Sequence, residues 1–282
     1  MQFHAVTDWD DAYANADHIP RAEEFIKEWP EAAARFRSAW AEEGSMELDI
    51  AYGSGERNRL DLFLPDTTPE GLVLFVHGGY WYRFGREFWS HLAGGPLARG
   101  YAVAMPSYSL CPTVRIGDIT KEVAKAIEVA AARVRGDMYL VGHSAGGHLV
   151  ARMICNASPL AKRVQKRIVH TMPISCVSDL RPLYCLAINE TLQLTDKEAN
   201  RESPALLTPL PNARVTCWVG ANERTEFLRQ NALLANIWHG LGARIACVEE
   251  SDRHHFDVIE GLEKPDSAIC RMLFDDGAGN AW

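Results

Sequence analysis

A serine, a carboxylate and a histidine each follow a separate apolar run in this chain, and together they suit acyl transfer. Ser144 lies in Asp137 to Val150, DMYLVGHSAGGHLV. There a short apolar run, Met138 to Val141, reads as a buried strand, and a helical pattern begins near His148. Gly142-His143-Ser144-Ala145-Gly146 between them is G-x-S-x-G in a strand–turn–helix context, the turn that holds a serine Oγ clear of the backbone at a helix N-terminus. Such a turn requires small neighbours, and Gly142, Ala145, Gly146 and Gly147 supply them. The plainer alternative is a serine that only caps the helix.

A serine hydroxyl is a poor nucleophile near neutral pH. It needs a general base, and the base needs an orienting carboxylate. In open α/β sheets such groups gather at the carboxyl ends of strands. After the apolar run Arg214 to Val219 comes Gly220-Ala221-Asn222-Glu223, and after Arg244 to Val248 comes Glu249-Glu250-Ser251-Asp252-Arg253-His254-His255-Phe256. Glu223 is therefore the expected acid, with Asp252 as the alternative, and His255 is the expected base, with His254 beside it. Attack on a carbonyl also creates an oxyanion that needs preorganised donors. The backbone N–H of Ala145 is one source. The turn His77-Gly78-Gly79-Tyr80 is the other, because glycine lets backbone N–H groups approach a substrate closely. Gly78, Gly79, Tyr80 and Ala145 are the expected oxyanion donors, with His77 fixing the loop, and Tyr80 and Trp81 the expected apolar wall of a substrate pocket.

These residues need a scaffold of alternating strands and helices. Residues 8 to 44 are helix-favouring, with Phe25, Trp29, Phe36 and Trp40 on one face and an expected interruption at Pro30. We expect residues 1–45 to form a helical arm whose aromatic face packs on the chain's own body or on a second copy in a homodimer. The arm could also cover the active site. Met46 to Tyr52 and Arg59 to Leu64 alternate like half-buried strands around Gly53-Ser54-Gly55, an antiparallel hairpin. Leu72 to Val76 is a continuous apolar run suited to a central parallel strand. Helices are expected at 87–99, 116–135, 226–241 and 257–274, with strands at 101–105, 168–174, 214–219 and 244–248 between them. The fold class is α/β: a doubly wound, mostly parallel sheet over residues 46–276, with 175–211 as a small cap over the strand ends and 277–282 as a tail.

Composition narrows the function. The chain has 282 residues, 47% hydrophobic and 23% charged, and a net charge of −8, which disfavours nucleic acid and anionic membranes as partners. Its seven cysteines form no C-x-x-C and read as reduced thiols. The first residues, MQFHAVTDWDD, lack the apolar core of a signal peptide, and no apolar run reaches membrane-spanning length, so a cytoplasmic location is expected. His254-His255 has no third ligand at metal-binding spacing, and neither a metal nor an organic cofactor is expected.

With these residues in view, His77-Gly78-Gly79-Tyr80-Trp81 resembles the HGGxW signature of the kynurenine formamidase (arylformamidase) branch of the α/β-hydrolases, related to the hormone-sensitive-lipase-like esterases. Gly142 to Gly147 resembles the nucleophile elbow of that branch, Glu223 to Gln230 its acid segment, and His255-Phe256-Asp257 its histidine turn. The likeness spans about residues 58–274. One departure is Glu223, where the family often carries aspartate, so the carboxylate must sit slightly further back. The resemblance implies an α/β-hydrolase fold and hydrolysis of N-formyl-L-kynurenine, a small-molecule substrate, to formate and kynurenine. The carboxylate of such a substrate would want a cation, and Arg83, Arg86 and Arg181 are unranked candidates. A carboxylesterase or thioesterase for short acyl groups would share every catalytic residue. A silent binding protein on the same scaffold, like the plant gibberellin receptors, would have lost one of them.

Overall fold

The computed structural model describes residues 5–275; the expected tail at 277–282 lies outside them. Eight strands form one sheet in the order β1-β2-β4-β3-β5-β6-β7-β8. In chain order they are β1 (Ser45–Ala51), β2 (Arg59–Leu64), β3 (Gly71–Val76), β4 (Ala102–Pro106), β5 (Asp137–His143), β6 (Ile168–Ile174), β7 (Arg214–Gly220) and β8 (Arg244–Glu250). β2 runs antiparallel to β1 and β4, and every other pairing is parallel. The continuous apolar run of β3 is buried at every position because both its faces are covered. Leu72, Leu74 and Val76 point into one layer, with helices Ile116–Arg133, Ala145–Met153 and Thr225–Gly240. Val73 and Phe75 point into the other, with Trp29, Trp89, Leu262 and Ile269.

Register is what matters for the site. Val76 pairs with Gly142, so the turn after β3 lies beside the turn that carries Ser144. His143 pairs with Ile174, Ile174 with Trp218, and Gly220 with Glu250, which brings the segments after β6, β7 and β8 to the same edge of the sheet.

Several expected elements differ. The helix expected at 87–99 is two 3₁₀ turns, Arg86–Phe88 and Ser90–Ala93, followed by the short helix Gly94–Ala98. Gly94-Gly95-Pro96 is a poor helix former, and a Cβ at Gly95 would stand 2.5 Å from the carbonyl oxygen of Leu262. The helix expected at 257–274 is the turn Glu260–Glu263 and the helix Ala268–Phe274, because Pro265 breaks the run between them. Pro30 interrupts nothing: one helix runs Ala22–Glu43, held by its packing on the body. In the segment 175–211, expected as a cap, Leu180, Leu183, Leu186, Leu192 and Leu194 are buried in the same core as the helix layer.

The arm packs closely on the body. Trp29 is 6% exposed, with ring centroids 4.8 Å from Trp89, 4.9 Å from Phe256 and 5.8 Å from Phe84. Phe25 meets His254 at 5.2 Å and Phe36 meets Phe63 at 5.8 Å. The aromatic face of the arm is thus spent on the chain's own body. Among the described residues, no helix is long and apolar enough to cross a membrane. All seven cysteines are free. Trp29→Ala removes a packed indole and should cost about 3–5 kcal/mol of unfolding free energy. Urea denaturation measures it, and a loss below about 1 kcal/mol would mean that the arm melts apart from the body.

Candidate active site

The turn at Ser144 is set by backbone contact. Ser144 has φ 56° and ψ −116°, outside the regions favoured by L-residues. Its N–H donates to the carbonyl of Ile174 at 2.8 Å, and its own carbonyl accepts from His148 N–H at 3.1 Å. A Cβ at Gly146 would lie 1.9 Å from the carbonyl oxygen of Val76, so only glycine lets the helix start so close to β3. Ser144 and His255 border one cavity of about 280 Å³.

Glu223 lies three residues beyond the end of β7 and His255 five beyond the end of β8. Their Oε2 and Nδ1 are 2.6 Å apart. A carboxylate only accepts, so the imidazole carries its proton on Nδ1 and leaves Nε2 as the basic nitrogen. Glu223 is held from behind: its Oε1 accepts from Ser175 Oγ at 2.5 Å and from Gly220 N–H at 2.9 Å. The contact with Gly220, at the strand end, shows how the longer glutamate is set back. His255 packs between the rings of Phe227 and His143, at 4.5 and 4.7 Å. The alternatives fall elsewhere. His254 Nδ1 accepts from the N–H groups of Phe256 and Asp257, fixing the turn, and Asp252 is exposed at φ 61°.

The glycine turn has its carbonyls tied down. His77 Nδ1 donates to the carbonyl of Gly78 at 2.7 Å, and Tyr108 Oη donates to the carbonyl of His77 at 2.9 Å. Among the described residues, the N–H groups of Gly79, Tyr80 and Ala145 have no backbone acceptor. Gly78, Gly79 and Tyr80 all border the cavity.

Trp81 corrects the expected pocket wall. It is fully buried, and its Nε1 donates to His148 Nδ1 at 3.3 Å inside the core. Tyr80 and Trp81 both have positive φ, 46° and 59°, so the chain turns left-handed there and carries Trp81 under the loop. The wall is built by Ile26, Trp29, Tyr82, Phe84, Trp89 and Phe256, beside Tyr80. Arg83 borders the cavity. Arg86 is held by Asp49 and Asp61, and Arg181 by Asp179. The arm segment Tyr13 to Asp17 borders the cavity, and Ser175, which holds Glu223 from behind, carries no mark in the sequence. Among the described residues, no group of three or more His, Cys, Asp or Glu side chains could hold a metal ion.

The sequence profile of the alpha/beta hydrolase family matches residues 73–263. The chain belongs to that family. This hydrolase is 27% identical over 237 residues to a kynurenine formamidase of Danio rerio and 29% over 238 residues to that of Salmo salar, covering 80% of each chain in both cases. The motif resemblance to that branch is thereby borne out. A crystal structure from Silicibacter sp., described as a candidate thioesterase, is 44% identical with a TM-score of 0.89, covering 94% of this chain and 98% of that one. An esterase of Pyrobaculum calidifontis, at 19% identity and a TM-score of 0.67 over 88% of this chain and 90% of that one, shares the fold.

The hydrolase keeps four histidines neutral by burying them. Burial pushes His77 down to about 3, and His91 and His148 down to about 4. His143 is driven well below its ordinary value by burial first and then by neighbouring His255. In the unfolded chain these groups take a proton below about pH 6.5, whereas the folded groups do not until the pH is far lower. The stability they confer is therefore whole above pH 6.5 and lost as the pH falls toward 4. Each should contribute a slope of about 1.4 kcal/mol per pH unit in that window. The raised carboxyls of Glu260 and Glu263, pushed up mainly by burial, act in the opposite sense. Urea midpoints between pH 4.5 and 8 should be flat above 7 and fall steeply below 6.5; a flat profile throughout would contradict the neutral burial.

Proposed function

We propose that this chain is a serine hydrolase of the arylformamidase type, cleaving N-formyl-L-kynurenine to formate and kynurenine. The observation that carries the proposal is the pairing of Glu223 with Nδ1 of His255 at the cavity that Ser144 borders. The similarity to kynurenine formamidases over four-fifths of the chain supports the substrate.

In this reading His255 Nε2 removes the proton of Ser144 Oγ as it attacks the formyl carbon, and Glu223 stabilises the imidazolium. The N–H groups of Gly79, Tyr80 and Ala145 receive the oxyanion, each donor contributing about 3–4 kcal/mol to the transition state. Collapse expels the aniline nitrogen, which takes the proton from His255. Water, deprotonated by the same histidine, then attacks the formyl-serine, releasing formate and restoring the hydroxyl. A formyl carbon carries only hydrogen, so the acyl side needs little room, and the ring of the leaving group suits the aromatic wall of Trp29, Tyr82 and Phe84.

The Silicibacter relative supports a second reading, a thioesterase for short acyl groups. Turnover of N-formyl-L-kynurenine, p-nitrophenyl acetate and acetyl-CoA by wild type separates the two. The formamidase reading expects kcat/KM for the formamide to exceed that for either ester by tenfold or more; a preference for the thioester would replace it with the second reading. Ser144→Ala should lower kcat by at least about a thousandfold and Glu223→Gln by about a hundredfold or more, with unchanged folding by circular dichroism. An active Ser144→Ala would remove the mechanism altogether.

A further inference from the structure

The arm that closes the cavity carries a side chain whose hydrogen-bonding capacity the fold leaves unused. Asn15 lines the cavity and is 6% exposed, and among the described residues neither its Oδ1 nor its Nδ2 has a partner. Asparagine at this place, just before the turn Ala16–His18, ordinarily caps by accepting a backbone N–H, and this side chain does not. A buried amide without partners is costly, and native proteins rarely leave one so unless something else completes it.

The position of Asn15 is well defined. Two residues earlier, the carbonyl of Tyr13 accepts from Tyr80 Oη at 2.6 Å, tying the arm to the glycine turn. Tyr13 Oη donates to Glu226 Oε2 at 3.1 Å and accepts from Gln230 Nε2 at 2.8 Å, tying it to helix Thr225–Gly240. The amide is therefore held at a set distance from the serine end of the cavity. Much of the remaining wall is aromatic or aliphatic, so it can recognise little beyond shape. Asp17 and Arg83, both exposed and of opposite charge, also border the cavity, and among the described residues neither forms an ion pair with the protein.

A primary amide offers one donor group and one acceptor side by side. The ligand chemistry that answers both, and answers a carboxylate and a guanidinium nearby as well, is a zwitterion. We propose that Asn15, flanked by Asp17 and Arg83, is the recognition site for the α-amino-acid head of the substrate. Nδ2 donates to the α-carboxylate and Oδ1 accepts from the α-ammonium, after rotation of the side chain about its own torsions into the cavity. The site rests on the formamidase reading and deepens it: the arm reads the leaving group while the strand ends act on the acyl group.

Binding tests the site without turnover. Calorimetry compares L-kynurenine with 2-aminoacetophenone, which keeps the ring, the amine and the ketone but lacks the amino-acid head. Wild type should bind L-kynurenine at least tenfold more tightly. In Asn15→Leu that ratio should fall to within about threefold of unity. In the near-isosteric Asn15→Asp, which keeps an acceptor but repels the carboxylate, it should fall likewise. Melting curves report that each variant is folded, and replacing an unpaired buried amide by leucine should not lower the Tm. A packing role alone would weaken both ligands together and leave the ratio unchanged, which would overturn the proposal, as would a wild-type ratio near unity. Selective binding of L-kynurenine without cleavage of N-formyl-L-kynurenine leaves the site standing and removes the formamidase reading. Cleavage with a ratio near unity does the reverse.

Discussion

The active end of this hydrolase depends on one close packing, that of the first turn of helix Ala145–Met153 against the ends of β3 and β5. A Cβ at Gly142 would stand 2.2 Å from the carbonyl oxygen of Gly146, and one at Gly146 would stand 1.9 Å from that of Val76. No side chain can intervene, so helix and sheet meet backbone to backbone, and the residue between them is forced to φ 56°. A non-glycine residue in such a conformation costs on the order of 1–3 kcal/mol. The hydrogen bonds of Ser144 to Ile174 and His148 hold it there. The same closeness aligns the glycine turn: a Cβ at Gly78 would lie 2.9 Å from Cβ of Ser144. The proposed nucleophile and oxyanion donors are thus positioned by one contact between two strand ends.

The arm completes what the strand ends leave open. An antiparallel β2 places β1 at the sheet's edge, and helix Ala22–Glu43 crosses from there over Trp89 and Phe256 to the cavity. Its aromatic face makes the wall while its preceding segment makes the polar side. Tyr13 thereby ties the arm to the glycine turn, through Tyr80, and to the helix after Glu223, through Glu226 and Gln230, together.

What could be read from the sequence follows from how local each signal is. Ser144, Glu223 and His255 each stand just past an apolar run, and the rule that functional groups gather at strand carboxyl ends needs nothing else. The strands themselves were legible because continuous burial leaves an unbroken apolar run, as in β3. Ser175 also stands just past a strand, but a serine there has no mark that separates it from any other; its role appears only when β6 is seen beside β7. Tyr13 and Glu226 are 213 residues apart, and no local pattern announces that contact. Trp81 shows a third kind of failure. In a left-handed turn successive side chains do not alternate as they do in a strand, so neighbouring aromatics could not be sorted into wall and core from their order alone. The leucines of segment 175–211 look alike in sequence whether they roof a cavity or join a core, so their burial with the helix layer is not legible from their order.

Proton control around the site follows from the same burial. General base catalysis needs one histidine that can gain and lose a proton, with neighbours that do not compete. His143 lies against His255, and His77 lies under the oxyanion turn. In the proposed mechanism a cationic His143 would repel the imidazolium that His255 becomes. Burial holds His143 and His77 neutral. Of these three histidines His255 is the one with a carboxylate at 2.6 Å, and that carboxylate is itself held by Ser175 and Gly220. Three histidines at one strand edge therefore share a fold but not a role, and the difference lies in which of them the chain after β7 supplies with a negative charge.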